Sequence, residues 1–330
     1  MPIGVVHYGL GPIGLAVASL VSGRPWLRSV GAVDISPDLD GRRLGEVTGH
    51  EADGPVIGPR FMRPAEPAAV AVHCTGSSLL QVAPQILELA SAGLNVISTA
   101  EELAFPWQAH PAAAAEIDAG ARGAGVTVLG TGINPGYAMD YLPIALSAVA
   151  QRVDKVTVHR VQDAATRRLP LQRKIGAGLS QEDFRAAAAA GRLGHVGLTE
   201  STHTLARAFG WRLTDLREVI EPIVADEPTQ MAEGLIQPGQ VLGLHQTAEG
   251  RVDSRTVISL TLDMAIGAGP SRDSVRLVGV PDLELEVPGG LHGDLATAAI
   301  AVNSIPRVVA AAPGLIVMAD LAPPTPGPPH

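Results

Sequence analysis

The chain has 330 residues, of which 46% are hydrophobic and 17% charged, so it is long enough for two domains and too apolar to be disordered. Its formal net charge of −9 argues against nucleic acid and against an acidic membrane surface as partners. Cys74 is the only cysteine, which excludes a disulfide framework and a cysteine-rich metal site. No leader segment and no membrane span is recognisable, so we expect a cytoplasmic protein without membrane contact.

The first 34 residues carry the clearest pattern. A short apolar strand ending at Tyr8 runs into a turn with the spacing G-x-G-x-x-G, and a helix is predicted over residues 12–21. A second strand ends at Asp34, twenty residues after Gly14. An acid at this spacing is suited to accept hydrogen bonds from the ribose hydroxyls of a dinucleotide. The helix N-terminus would face the pyrophosphate. We therefore predict a dinucleotide held by Gly9, Gly11, Pro12, Ile13, Gly14 and Asp34.

The choice between NAD and NADP depends on the residues that follow the second strand. Asp34 favours NAD, because a carboxylate repels the 2′-phosphate that distinguishes NADP. Ser36, Arg42 and Arg43 lie close behind it and offer an alternative phosphate site. The cofactor is therefore predicted to be NAD or NADP, with NAD favoured.

Later strand ends add candidate contacts. A buried strand over residues 68–73 is followed by a turn in which Thr75 and Gly76 are placed to contact the nicotinamide half of the cofactor. Capping of the next helix by Thr75 and Ser77 is an alternative that is compatible with this role. A glycine- and proline-rich loop over residues 130–136 fixes the backbone beside another strand end.

The order of predicted elements indicates two domains. Strands and helices alternate over residues 1–150, which predicts an α/β dinucleotide-binding domain. Over residues 151–299 they do not alternate, which predicts an α+β domain built on an open, mostly antiparallel sheet for substrate binding and dimerisation. Residues 300–330 are expected to return to the first domain, and the proline-rich tail from Ala322 is expected to be loosely packed or disordered.

Two neighbouring carboxylates leave a predicted strand at the carboxyl edge of the first sheet. Glu101 or Glu102 is suited to hold and deprotonate an ammonium, and Phe105 and Trp107 follow to form a dry wall. Because neighbours on an extended loop point to opposite sides, only one of the two is expected to face the substrate, and the other is expected to cap the segment that follows. The sequence leaves open which one it is.

Other candidates are weaker. The ten histidines show no metal-binding spacing, so no metal is predicted. His195 lies between glycines as a candidate pocket residue, although a structural role is the more usual one. Thr166 and Arg167 belong to a basic loop that either contacts a substrate carboxylate or cofactor phosphate, or is simply solvated.

Several longer motifs together resemble one family. The stretches GLGPIG, STAEELAFPW, GTGINPGYAMD, DAATRRLPLQRKIGAG, GHVGL and NSIPRVVAAAPGL are similar to those of 2,4-diaminopentanoate dehydrogenases and the related native amine dehydrogenases, within the dihydrodipicolinate reductase-like group. The resemblance implies a Rossmann domain, a second domain that closes over the cofactor and forms a homodimer, and a loop glutamate that contacts the amine. It also implies that Asn134 contacts the cofactor and that Tyr137 lines the pocket. The chain lacks the His-His and lysine motif of dihydrodipicolinate reductases.

The predicted activity is NAD(P)-dependent oxidative deamination of an amine, or the reverse reductive amination of a ketone or aldehyde with ammonia. A glutamate would assist loss of water from a carbinolamine, and hydride would be delivered to the resulting iminium. Two alternatives stay open: an amino-acid or diamino-acid dehydrogenase that holds a carboxylate through Arg167 or Arg173, and a nucleotide-binding sensor without catalysis.

Overall fold

A computed structural model describes residues 2–49, 54–165 and 169–327 of the chain. It divides into two compact units, one formed by Met1–Tyr137 with His292–His330 and the other by Ala138–Leu291. Among the described residues, no helix combines the length and the apolarity needed to cross a bilayer.

The first unit contains a parallel sheet with helices packed against it. Its strands are β1 (Ile3–Tyr8), β2 (Leu27–Val33), β3 (Ile57–Gly58), β4 (Val70–His73), β5 (Asn95–Ser98), β6 (Thr127–Gly130) and, from the C-terminal segment, β15 (Gly314–Ile316). Its helices are α1 (Pro12–Ser22), α2 (Leu44–Thr48), α3 (Leu79–Ser91), α4 (Pro111–Ala124) and α9 (Gly293–Val309), with 3-10 turns at Glu101–Ala104 and Met318–Asp320.

Over the described residues these seven strands form one sheet in the order β15-β6-β5-β4-β1-β2-β3, and every pair in it is parallel. Strands β4 and β5 are short apolar runs buried almost throughout, as parallel strands covered on both faces require. The strand order reverses beside β1, so a crevice for a ligand is expected at the carboxyl ends of β1 and β4. The prediction of a Rossmann-like α/β fold is confirmed by this sheet.

The second unit is built on a mixed sheet. Its strands are β7 (Arg152–Asp163), β8 (Asp215–Val224), β9 (Thr229–Met231), β10 (Gly234–Ile236), β11 (Val241–Val252), β12 (Arg255–Ala265), β13 (Arg272–Val280) and β14 (Leu283–Pro288). Its helices are α5 (Tyr141–Leu146), α6 (Leu169–Lys174), α7 (Gln181–Ala189) and α8 (Leu198–Ala208), with a 3-10 turn at Ser147–Val149.

Within the described chain, six of these strands form a sheet in the order β14-β13-β7-β12-β11-β8, in which only β7 and β12 pair in parallel. The expectation of a mostly antiparallel second sheet is therefore confirmed. Strand β7 alternates over its central residues, with Val156, Val158 and Arg160 buried and Thr157 and His159 half-buried.

The bounds of the two units differ from the expected ranges 1–150, 151–299 and 300–330. Helix α5 groups with the second unit, because the buried carboxylate of Asp140 caps it at Tyr141 N (2.6 Å) and accepts a hydrogen bond from Ser201 of α8 (2.8 Å). Up to its last described residue, the tail from Ala322 forms no helix or strand and is mostly exposed, and Gly327 lies against the indole of Trp26.

Candidate active site

The glycine turn after β1 has three glycines with different surroundings. Gly9 adopts a φ of +90°, and a Cβ added to it would lie 2.6 Å from the carbonyl oxygen of Cys74. A Cβ on Gly14 would lie 1.9 Å from the carbonyl oxygen of Gly9, so the start of α1 packs directly on the turn. A Cβ on Gly11 would meet no heavy atom of the described protein within 4 Å. Gly11 therefore leaves space that the protein itself does not use.

The space beside Gly11 fits a pyrophosphate. Helix α1 begins at Pro12, and no side chain caps its N-terminus. The positive end of the helix dipole and the exposed residues Gly11 and Pro12 therefore face the same open space. Ile13 is half-buried in the first turn of the helix. Backbone N–H groups at the start of a helix are suited to bind a pyrophosphate.

Asp34 is fixed at the end of β2 by two backbone groups. Leu10 N donates to its Oδ2 (2.5 Å) and Ser36 N donates to its Oδ1 (2.8 Å). The carboxylate thus joins the glycine turn to the loop after β2, and its remaining lone pairs are available to ribose hydroxyls. Ser36 takes part through its backbone, and Arg43 donates to Gly54 O (3.0 Å).

Thr75 and Gly76, both exposed, lie just beyond β4. The Thr75 hydroxyl donates to Gln85 Oε1 (2.8 Å) and lies 2.9 Å from His73 Nε2. His73 is fully buried, and this burial lowers the pKa of its imidazole, which a hydrogen bond with Gln85 only partly offsets. The ring is therefore neutral near pH 7.

The structure gives Glu101 and Glu102 different surroundings in the 3-10 turn that follows β5. Glu102 Oε2 accepts a hydrogen bond from Leu79 N at the start of α3 (2.6 Å) and lies 3.0 Å from His110 Nε2. Glu102 thus caps α3 and contacts the residue that precedes α4. Glu101 is half-buried, and within the described chain no hydrogen bond or ion pair engages its carboxylate.

An apolar wall stands beside these carboxylates. Phe105 is buried, and its ring meets that of Trp107 edge to face with centroids 5.1 Å apart. Low polarity on this side disfavours the access of water.

The loop after β6 is held by the C-terminal helix. Thr297 Oγ1 of α9 accepts a hydrogen bond from Ile133 N (3.2 Å), and the Asn134–Pro135 peptide bond is cis. Asn134 is buried, whereas Tyr137 at the end of the first unit is half-buried. Strands β1, β4, β5 and β6 are parallel neighbours, so their carboxyl ends bring the glycine turn, Thr75, Glu101 and Asn134 to one edge of the sheet.

The remaining candidates belong to the second unit. His195 is half-buried, and its backbone is clamped by the buried Gln246, which accepts from His195 N (2.8 Å) and donates to His195 O (2.7 Å). Gln246 also donates to Glu218 (2.8 Å), a carboxyl whose pKa is raised by burial. Arg173 is paired with Glu233 (2.7 Å). Thr166 and Arg167 lie outside the described residues.

Sequence reasoning missed His73, Gln85 and His110. Each belongs to this edge through a hydrogen bond to a residue far along the chain, and their sequence contains no motif that marks them. Over residues 2–49, 54–165 and 169–327, no group of three or more potential ligands is arranged to hold a metal ion.

Comparisons with known proteins agree with this architecture. Residues 137–326 match the model of the 2,4-diaminopentanoate dehydrogenase C-terminal domain, which is more than half of the chain. The 2,4-diaminopentanoate dehydrogenase of Acetoanaerobium sticklandii is 32% identical, over 96% of this chain and 92% of the relative.

Two solved structures share the fold. The amine dehydrogenase from Mycobacterium smegmatis superposes with a TM-score of 0.85 over 98% of this chain and 97% of its own, at 23% identity. The WlbA dehydrogenase from Bordetella pertussis, in complex with NADH and UDP-GlcNAcA, gives a TM-score of 0.52 over 87% of this chain and 80% of its own, at 14% identity. The extent of the sequence matches confirms the predicted resemblance and the prediction of an oxidoreductase acting on an amine: the chain belongs to the 2,4-diaminopentanoate dehydrogenase family.

Proposed function

We propose that this protein is an NAD(P)-dependent amine dehydrogenase in which Glu101 is the carboxylate that handles the amine. The observation that carries the proposal is the contrast between two adjacent carboxylates at the carboxyl edge of the sheet. Glu102 is engaged by Leu79 N and His110, whereas the carboxylate of Glu101 has no bonding partner in the described chain. Family membership supports the reaction class.

In the direction of deamination, Glu101 accepts a proton from the substrate ammonium and leaves a neutral amine. A bound nicotinamide would supply the chemistry of hydride transfer from the carbon that carries the nitrogen. Water would add to the resulting iminium, and Glu101 would move the protons that allow ammonia to leave. One neutral amine, one water and one oxidised cofactor would thus yield one carbonyl compound, one ammonia, one reduced cofactor and one proton.

The wall formed by Phe105 and Trp107 supports these steps. Its apolar surface disfavours the ammonium form of the substrate and makes transfer of its proton to Glu101 easier. We place Tyr137 in the substrate pocket from the family resemblance, and a pocket role for His195 stays a prediction from its loop between glycines.

NAD is the favoured cofactor. Both oxygens of Asp34 are held in place by backbone N–H groups, so a fixed negative charge stands where NADP would bring its 2′-phosphate. We propose Gly9, Gly11, Pro12, Ile13, Gly14, Asp34, Ser36, Thr75, Gly76 and Asn134 as the cofactor contacts.

A diamino acid such as 2,4-diaminopentanoate is the second candidate substrate, since the Acetoanaerobium relative carries that name and matches nearly the whole chain. Its carboxylate would need a cationic partner. Arg173 is engaged by Glu233, so Arg167, outside the described residues, is the better candidate. A homodimeric, cytoplasmic enzyme stays a prediction.

The test is oxidation of NADH and NADPH in the presence of small ketones, aldehydes and 2-amino-4-oxopentanoate, with and without ammonia. Turnover that requires ammonia supports the proposal, and a preference for 2-amino-4-oxopentanoate would select the diamino acid. Turnover without ammonia would identify a carbonyl reductase instead.

The two glutamates form a matched pair for the same assay. Glu101→Gln is expected to lower kcat by about 10²–10⁴-fold with little change in the Kd of NADH, because it removes the proton acceptor alone. Glu102→Gln should lower the unfolding temperature, because it weakens the cap of α3, and should retain more activity. If Glu102→Gln loses more activity than Glu101→Gln, Glu102 would be the carboxylate that handles the amine.

A further inference from the structure

We propose that His73 is a positioning residue that couples the cofactor turn at Thr75 to the loop that carries Glu101. The proposal rests on the function proposed above for these two segments. His73 is the last residue of β4 and is fully buried. The roles proposed above for the glycine turn and for the two glutamates do not involve its side chain.

On one side, the ring reaches the start of the glutamate loop. His73 Nδ1 lies 2.9 Å from Ser98 Oγ, and Ser98 ends the neighbouring strand β5. The same oxygen accepts a hydrogen bond from Ala100 N (3.2 Å), the residue directly before Glu101. A single hydroxyl thus joins the imidazole to the backbone of the loop.

On the other side, the ring reaches the cofactor turn. His73 Nε2 lies 2.8 Å from Gln85 Oε1 and 2.9 Å from Thr75 Oγ1, while the Thr75 hydroxyl donates to the same Gln85 oxygen. Gln85 Oε1 therefore lies within hydrogen-bonding distance of both His73 and Thr75, and it holds the Thr75 hydroxyl beside the ring.

The pattern of donors fixes the tautomer of the ring. Gln85 Oε1 is only an acceptor, so Nε2 carries the hydrogen that points towards it. Nδ1 is then an acceptor, and the Ser98 hydroxyl donates to it while it accepts from Ala100 N. The hydrogen bonds thus run in one direction from the loop through Ser98 and His73 to Gln85, and each depends on the next.

Separate variants at the two ends of this series of hydrogen bonds are expected to change different kinetic constants. Ser98→Ala releases Ala100 and should mainly lower kcat, by about 10–100-fold, because a small displacement of Glu101 suffices. Gln85→Leu releases Thr75 and should mainly raise the Kd of NADH, by about 3–10-fold, the effect of one net hydrogen bond. The Kd is measured by NADH fluorescence and needs no turnover.

The decisive measurement is the double variant Ser98→Ala/Gln85→Leu. If His73 couples the two segments, the change in the Kd of NADH and the change in kcat of the double variant each differ from the product of the changes in the single variants by about threefold or more. This difference should vanish when the same variants are made in a His73→Leu background. Multiplicative effects in the presence of His73 would overturn the proposal.

His7 and Ser29 supply matched controls. His7 is also a buried strand histidine whose Nε2 lies 2.9 Å from a serine hydroxyl on the neighbouring strand. Among the described residues, none of its hydrogen bonds leads to the glutamate loop. Ser29→Ala should leave kcat and Kd within about twofold at pH 7.5. Equal losses in Ser29→Ala and Ser98→Ala would overturn the proposal, because any buried His–Ser pair would then suffice. An absence of ammonia-dependent turnover in the unmodified protein would refute the proposed function alone, since the Kd measurements still test the coupling.

Discussion

At the level of single residues, the turn after β1 offers the sharpest contrast. A methyl group fits beside Gly11 without touching the described protein, whereas at Gly14 it would collide with the carbonyl of Gly9. Gly11→Ala should therefore keep the free energy of unfolding and raise the Kd of NADH by about tenfold or more, because the methyl occupies the space of the pyrophosphate.

Gly14→Ala is the companion variant. It should lower the free energy of unfolding by about 1–3 kcal/mol, because α1 must move away from the turn. Denaturant unfolding and NADH titration of both variants separate the two effects. An unfolding loss in Gly11→Ala as large as in Gly14→Ala would mean that Gly11 serves packing and not the cofactor.

Asp34 supports a second prediction at this scale. Asp34→Ala removes the charge that opposes a 2′-phosphate, and it also leaves Leu10 N and Ser36 N without their acceptor. The ratio of kcat/KM for NADPH to that for NADH should rise about tenfold, mainly through weaker use of NADH. Steady-state assays with both cofactors measure it, and an unchanged ratio would show that Asp34 does not contact the ribose.

At the level of elements, the C-terminal strand β15 is joined to α4 as well as to its sheet neighbour β6. Leu315 N donates to Asp118 Oδ1 (2.9 Å), and Arg122 of the same helix bonds both Asp118 (2.8 Å) and Pro313 O (3.2 Å). Gly314 adopts a φ of +135°, and a Cβ there would lie 2.8 Å from the same Asp118 oxygen. Gly314→Ala should therefore destabilise the protein by about 1–3 kcal/mol.

Denaturant unfolding checks this result, with Gly93→Ala as the control. Gly93 also has a positive φ, +80°, but its Cβ would meet nothing within 4 Å. If both variants lose the same stability, backbone conformation alone explains the loss and the contact with Asp118 does not matter.

Elements were predictable where they carry a long periodic pattern. The strand-turn-helix sequence around Gly11 predicted its structure correctly. The start of α5 has no such pattern: the helix begins at Tyr141, where the side chain of Asp140 accepts a hydrogen bond from Tyr141 N. The strands β9 and β10 were missed because three residues are too few to show a period.

At the level of the whole molecule, the family and the α/β plan of the first unit could be derived from motifs, but the partners of the site residues could not. Glu102 is separated from Leu79 by 23 positions and His73 from Ser98 by 25. Such contacts arise from the order of strands in the sheet, and no local spacing records them. The proposal of Glu101 over Glu102 therefore rests on contacts that the sequence does not record.

The stability of the molecule as a whole should fall in mild acid because of His7. This side chain is 1% exposed, and burial lowers the pKa of its imidazole from 6.5 to about 4. Because the folded-state pKa lies below the unfolded one, the contribution is complete above pH 6.5 and is lost as the pH falls towards about 4. The loss at pH 5 should be about 2 kcal/mol.

His7→Gln keeps a polar group near Ser29 but does not titrate, so its free energy of unfolding should depend less on pH. Urea unfolding at pH 7.5 and at pH 5 compares the two proteins. The variant should retain part of the slope, because burial also lowers the pKa of His73 and of His203. If the free energy of unfolding depends on pH equally in both proteins, His7 must become hydrated or rearranged when it takes up a proton. A charged imidazole kept in the dry core of the parallel sheet would otherwise destabilise the folded protein.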